Sequence, residues 1–161
     1  MEELLFSFFR VLPVLIIFTV TLFLIFLENK RFWAFMLGGI LLNGIIWFIL
    51  GTLADKYIPD LAKRPQLKHC AYTETNKDIS FSGLPSGHCQ TIGFVSAWVI
   101  IYLIANRVNV EISIPISIIL LLVTYMMIYS RAVYFKCHTW LQAMSGTFLG
   151  ILTAGILWCF Y

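Results

Sequence analysis

Five apolar stretches, separated by polar breaks, set the outline of this chain. The first, Val11 to Leu27, follows a lead-in, Met1 to Arg10, that mixes acids, an arginine and phenylalanines. At about 1.5 Å rise per residue a membrane span needs about 20 residues, and Phe8 and Phe9 bring this one to that length. Pro13 falls in the first turn, where a helix tolerates it. A secretory leader is the rival reading; Glu2, Glu3 and the lack of a small-residue cleavage site count against it. The second stretch, Phe32 to Leu53, follows the polar turn Glu28-Asn29-Lys30-Arg31. Trp33 and Trp47 read as interfacial anchors, and Gly38, Gly39 and Gly44 as points of close helix approach. Asn43 is expected to bond a neighbouring helix. The third runs from about His88 to Ala105. The fourth begins at Glu111 or Ile112 and ends near Tyr129, and the fifth runs from about Thr139 to Phe160. Between the second and third lies a long polar connection, Ala54 to Leu84, of a length that tends to be functional or disordered.

Composition agrees with the pattern. Of 161 residues, 60% are hydrophobic and 12% charged, too little polar surface for a water-soluble domain of this size. The expected fold is all-α, a single integral membrane bundle of about five transmembrane helices over residues 1–161, in a membrane that the sequence does not identify. A net charge of +3, thinly spread, excludes nucleic acid as the natural partner. Cys70, Cys89, Cys137 and Cys159 have neither zinc-finger spacing nor a dense disulfide pattern. Trp and Phe are read as lipid-facing packing and interface belt.

Five alternating spans put the N-terminus, the long connection and the turn near Arg131 on one face. Three polar islands therefore gather there: Lys63-Arg64-Pro65, Leu84 to Thr91, and Ser130 to Gln142. Eight of the eleven Lys and Arg lie on that face (Arg10, Lys56, Lys63, Arg64, Lys68, Lys77, Arg131, Lys136). The positive-inside rule would make it cytoplasmic. That inference weakens if Arg64, Arg131 and Lys56 serve a substrate, which leaves five cations against three.

The islands hold an inventory for phosphoryl chemistry. A neutral histidine is a competent nucleophile toward phosphorus, and a protonated one is a general acid, so His88 and His138 could divide those tasks. Arginine forks suit the phosphoryl oxygens, and Arg64 and Arg131 supply them, with Lys56 as a further cation. Ser86-Gly87 sits where a helix begins, with unpaired N–H groups and partial positive charge. If residues 131 to 138 are helical, Arg131, His138 and Gln142 share a face, and the Gln142 carbonyl could accept from one imidazole nitrogen and set its tautomer. Carboxylates do not cluster as a two-metal or magnesium site would need, so no metal or cofactor is expected.

Pro85-Ser86-Gly87-His88 resembles the central motif of the type 2 phosphatidic acid phosphatase family, membrane enzymes that hydrolyse lipid phosphates through a phosphohistidine. The family pattern is K-x6-R-P, P-S-G-H, then S-R-x5-H-x3-D. Arg64-Pro65 resembles the end of the first motif, and Ser130-Arg131 with His138 resembles the third. The resemblance implies His138 as nucleophile, His88 as acid, and Arg64, Ser86, Gly87 and Arg131 as phosphate ligands, with no cofactor. Family members usually have six spans; this chain has five, and a homo-oligomer that replaces the missing one is left open. Three departures stand out. Lys56 and Arg64 are separated by seven residues, Arg131 and His138 by six, and Gln142 replaces the family's aspartate. His138-Thr139-Trp140-Leu141-Gln142 is similar to the H-T-W-x-Q stretch of the dolichyl diphosphatase branch. That similarity implies a polyprenyl diphosphate substrate in an endoplasmic-reticulum-like membrane.

Blander readings accompany each of these. His88 could simply cap a helix, and the arginines could snorkel to headgroups. Each histidine has a cysteine neighbour, but adjacent residues on a helix point about 100° apart and do not readily share one ion. A Cys89–Cys137 disulfide is open if the islands meet in an oxidising compartment. The rival to an enzyme is a non-catalytic membrane scaffold that binds phosphorylated lipid or a protein partner.

Overall fold

Three of the long helices begin where the sequence places a side chain able to take an orphan N–H of the first turn: Asn29, Asn109 and Thr139. The computed structural model describes residues 29–65 and 82–161. The expected first span, Val11 to Leu27, lies outside them. Helix α1, Lys30–Tyr57, starts on Asn29, whose side chain accepts from the Phe32 amide at 3.0 Å. It runs four residues past the expected end at Leu53, so Asp55 and Lys56 ride on the helix. The short α2, Pro59–Ala62, opens on a proline at its first position. Helix α3 spans Gly87–Ala105. Helix α4, Val110–Tyr129, is capped by Asn109 and carries Glu111 in its first turn, where the helix dipole favours an acid. It passes without a break into a short π-helix, Ser130–Tyr134, and α5 covers Trp140–Trp158.

Among the described residues the protein is all-helical, and four helices are long and apolar enough to cross a membrane: α1, α3, α4 with its π extension, and α5. The outward faces of α1 and α4 carry exposed Leu41, Phe48, Ile118, Leu121 and Leu122. Such a surface suits lipid tails. The fold is thus a helical membrane bundle.

Helices α3 and α5 form its centre and are separated by little more than backbone. A Cβ on Gly93 would lie 2.6 Å from the Thr147 carbonyl oxygen, and one on Gly150 only 2.7 Å from the Phe94 nitrogen. Without a hydrophobic drive between helices in lipid, such close van der Waals packing is the main source of association. Polar side chains tie the other helices on. Gln90 of α3 donates to Asn43 Oδ1 of α1 at 2.9 Å, the interhelical bond expected of Asn43. Ser96 of α3 pairs with Thr124 of α4 at 2.9 Å.

At the far end from the polar islands, Phe32, Phe94 and Trp98 are buried against Phe35, Tyr102, Trp158 and Tyr161. The Phe32 and Tyr102 rings approach to 4.4 Å, and Arg31 lies over the Tyr161 ring. Phe32, Phe94 and Trp98 are therefore core and not the lipid-facing belt expected of them, while Phe48, Trp140, Phe148 and Phe160 are exposed as that expectation has it. Ring-to-ring packing fills volume between tilted helices that aliphatic chains would leave open.

Gly93→Val should force α3 and α5 apart and cost roughly 1–3 kcal/mol, seen as a lower thermal midpoint in detergent. Gly155→Ala, with open space at its Cβ, should be neutral or slightly stabilising.

Candidate active site

The three islands meet at one end of the bundle, and backbone hydrogen bonds fasten them together. The Gly83 amide donates to the Ala62 carbonyl at 2.7 Å, joining the Leu84 island to the Arg64 island. The Ser86 amide donates to the Gln142 carbonyl at 3.0 Å, joining it to the start of α5. Gly146, one turn further along α5, leaves room for the Ser86 backbone.

Ser86 is the N-cap of α3, but its hydroxyl makes no capping bond. It is buried and, beyond the Cys89 thiol beside it, finds no hydrogen-bond partner among the described residues. The first intrahelical bond comes from the Gln90 amide to the Ser86 carbonyl, so the amides of Gly87, His88 and Cys89 have no partner within the helix. Arg64 gives one guanidinium N–H to the Ser82 carbonyl at 3.3 Å, while its buried Nε has no partner among the described residues. A buried donor left without an acceptor costs free energy, and so does an unused hydroxyl. An anion with several oxygens would satisfy both.

His138 is 4% exposed. Its Nδ1 lies 2.9 Å from the Gly83 carbonyl oxygen. A carbonyl only accepts, so Nδ1 carries the proton and Nε2 keeps its lone pair. Burial pushes the imidazole pKa down to about 3, helped by the nearby charges of Arg64 and then Arg131; the Gly83 carbonyl and Gln142 side chain oppose this. The ring is therefore neutral at physiological pH, as a nucleophile must be. The same electrostatics show that His138, Arg64 and Arg131 share one neighbourhood. Burial also lowers the pKa of Arg64, partly offset by Asp55.

Arg131 and His138 are not on one helix face, because the helix does not reach His138. The Phe135 amide donates to the Ser130 carbonyl at 2.8 Å, a bond across five residues that defines the π turn. Lys136 then takes a left-handed φ of 50°, uncommon for a residue with a Cβ. The amides of Cys137 and His138 consequently both return to the Arg131 carbonyl, at 3.0 and 3.2 Å. A π turn is one residue wider than an α turn, and such insertions are frequent at functional sites. It accounts for the sixth residue between Arg131 and His138, where the related motif has five.

The Gln142 side chain does act on the imidazole, favouring its protonated form, but the partner at Nδ1 is the Gly83 carbonyl. His138 precedes the N-cap Thr139, so the helical i+4 relation on which the expected bond rested does not exist. The Gln142 amide donates to the carbonyls of Leu61 at 2.7 Å and Lys63 at 3.0 Å. Its oxygen accepts from the Thr139 amide, and the Thr139 hydroxyl accepts from the Gln142 amide, forming a capping box. A Cβ on Gly83 would strike this side chain. Gln142 thus orients His138 indirectly, by locking Gly83 between the Leu61–Lys63 turn and α5.

His88 is half-buried in the first turn of α3, beside Gly87. Lys56 stands apart from the buried group. It is exposed, with its ammonium 5.3 Å from the Tyr57 ring centroid. Lys63 is exposed and contributes its carbonyl, while Lys68 lies outside the described residues. Cys89 is a free thiol and Cys137 is disulfide-bonded, so the pairing of Cys89 with Cys137 does not form. No group of three His, Cys, Asp or Glu side chains able to hold a metal occurs among the described residues. Two contributors escaped the sequence reading. Gly83 lies in Ser82-Gly83-Leu84-Pro85, a run that reads only as a turn, yet its carbonyl takes His138 Nδ1; Trp47 reads as an interfacial anchor, yet its indole lies against Gly87.

Gln142→Glu keeps the shape but faces a carboxylate with two carbonyls. It should cost roughly 2–4 kcal/mol and most of any activity. Gln142→Asp should fail as well, although aspartate stands there in the related motif; thermal unfolding and turnover measured together would check both. The His138 ring should remain neutral to about pH 5 when followed by NMR in micelles. Its folded pKa lies below the unfolded value, so the unfolded chain binds more protons between the two. Stability is then full above about pH 6.5 and falls as pH drops toward 3.

A family model described as the PAP2 superfamily matches residues 32–161. No curated protein and no solved structure matches the chain. The match begins inside α1 and covers every island and helix from there on, and that superfamily is made up of phosphatases and phosphotransferases. The chain belongs to the PAP2 superfamily.

Proposed function

We propose that this protein is a membrane lipid phosphatase that removes phosphate from a polyprenyl diphosphate or a related lipid phosphate through phospho-His138. One observation carries the reading: a buried neutral imidazole, its Nδ1–H held by Gly83, lies within the field of two arginines at one end of a membrane bundle. In this reading Nε2 of His138 attacks phosphorus and the bond to the leaving oxygen breaks. Protonated His88 gives its proton to that oxygen. The Nδ1–H bond to Gly83 steadies the cationic phosphorylated ring. Water then attacks the same phosphorus as His88 takes its proton, the P–N bond breaks, and free phosphate leaves with His138 neutral again. Arg64, Arg131, the Ser86 hydroxyl and the amides at Gly87 bind the phosphoryl oxygens throughout. Lys56, exposed in the last turn of α1, serves an outer phosphate. No step calls for a metal or cofactor.

Support for a diphosphate rests on Gln142 in the H-T-W-x-Q stretch. Part of that stretch is explained by helix capping, since Thr139 and Gln142 form the box. Support for catalysis over mere binding is firmer, because the π turn accommodates the altered spacing and Gln142 has a structural task of its own. Cys137 next to His138 is disulfide-bonded, and disulfides persist in oxidising compartments. The site therefore faces the oxidising side of its membrane. The excess of Lys and Arg on this face is then partly a substrate feature and not a topological signal.

Phosphate release from a polyprenyl diphosphate and from phosphatidate, in detergent with excess EDTA, tests this. Wild type should turn over, and His138→Ala should lose at least about a thousandfold. With a nitrophenolate leaving group, which needs no proton, His88→Ala should keep the first step, seen as a burst of nitrophenol, while steady turnover falls because the attacking water loses its base. Lipid binding without turnover in folded wild type would replace the enzyme by a phospholipid-binding scaffold, and release abolished by EDTA would overturn the metal-free mechanism.

A further inference from the structure

Gly87 offers its backbone N–H, and its missing side chain makes room for a neighbour. A Cβ there would lie 3.2 Å from Nε1, 3.3 Å from Cδ1 and 3.4 Å from Cε2 of Trp47. The pyrrole edge of the indole thus rests directly on the residue that opens α3. Trp47 comes from α1, a different helix from any island. One turn before it, Asn43 bonds Gln90. One turn after it, Gly51 lies against Ser82 and the Leu84 carbonyl. Asn43, Trp47 and Gly51 therefore form the stripe of α1 that faces the phosphate site, as residues four apart on a helix must. On either side of that stripe, Ile45, Phe48 and Ile49 are exposed on the lipid-facing surface. Trp47, half-buried, sits on the border between the two.

From this position we infer that Trp47 is the specificity-determining residue that contacts the first carbons of the lipid chain, next to the phosphate. The inference rests on the phosphatase reading given above. A substrate whose phosphate lies at the α3 N-terminus and whose tail lies in lipid must pass the α1 border on one side. The indole offers a rigid apolar face there, with its N–H edge toward the polar end. Dispersion and apolar contact with the chain act on lipid substrates, while a small water-soluble phosphate ester has no chain to make them.

The test compares kcat/KM for a polyprenyl phosphate and for p-nitrophenyl phosphate in wild type, Trp47→Ala and Trp47→Phe. In Trp47→Ala the ratio of lipid to soluble kcat/KM should fall about tenfold, mainly through KM for the lipid. Trp47→Phe should recover most of that ratio. Thermal midpoints in detergent show whether each variant is folded. An unchanged ratio, whether both substrates lose equally or neither loses, overturns the inference. So does a Trp47→Phe variant as impaired in the ratio as Trp47→Ala. Wild type inactive on both substrates would instead defeat the phosphatase reading itself.

Discussion

The hydrogen bond from His138 Nδ1 to the Gly83 carbonyl is the interaction on which the site end of this molecule depends. It fixes the tautomer, and it requires three chain segments to be in place at once. Gly83 is held through its own N–H by Ala62, and its bare Cα packs on the Gln142 amide. Any Cβ would push Gln142 off the carbonyls of Leu61 and Lys63. Glycine is needed here for close approach, not for an unusual backbone angle. The imidazole, the arginine-bearing turn and the first turn of α5 are thereby coupled, so disturbing one displaces the other two. Network members of this kind are worth more together than singly.

The same enclosure sets the electrostatics. Burying an imidazole beside two guanidiniums near a membrane surface penalises its protonation, which keeps it nucleophilic. It also leaves a site with strong positive character and a buried donor, Arg64 Nε, that no acceptor among the described residues satisfies. Such an arrangement is costly without an anion. A multi-oxygen anion offsets the cost by accepting from several donors in one place. On the proposed reading, affinity for phosphate and the depressed basicity of His138 share one cause, the gathering of cations around a desolvated ring.

Much of this was legible in the chain. Apolar run lengths placed α3, α4 and α5 within a residue or two, because each is bounded by a capping residue or a polar turn: Ser86, Asn109 and Thr139. Asn43 announced an interhelical bond because an amide among apolar neighbours has few other options. The gathering of the three islands followed from alternation of spans alone. Three features were not legible. The π turn after Tyr129 leaves no compositional mark, since Ser130 to Tyr134 would serve equally in an α-helix. The task of Gln142 depends on which carbonyls face it from a segment some eighty residues earlier. The aromatic core of Phe32, Phe94 and Trp98 looked like lipid-facing residues because both environments select the same side chains, and only the packing of α1 on α3 separates them.

The replacement of a carboxylate by Gln142 can be followed into the chemistry. In the related motif an aspartate would charge-stabilise the imidazolium. Here the partner of Nδ1 is a neutral carbonyl, and the nearby fixed charges are positive. On the proposed mechanism the phosphorylated, cationic ring is then a higher-energy intermediate than it would be beside an aspartate. That slows its formation, but it also makes the ring a better leaving group when water attacks. A weakly held intermediate suits a substrate whose own leaving group is good, because the first step then needs less help. A phosphoanhydride fits that description better than a simple phosphate ester. On the proposed mechanism, then, the glutamine would favour a diphosphate through the energy of the intermediate, independently of any likeness in the residues around it.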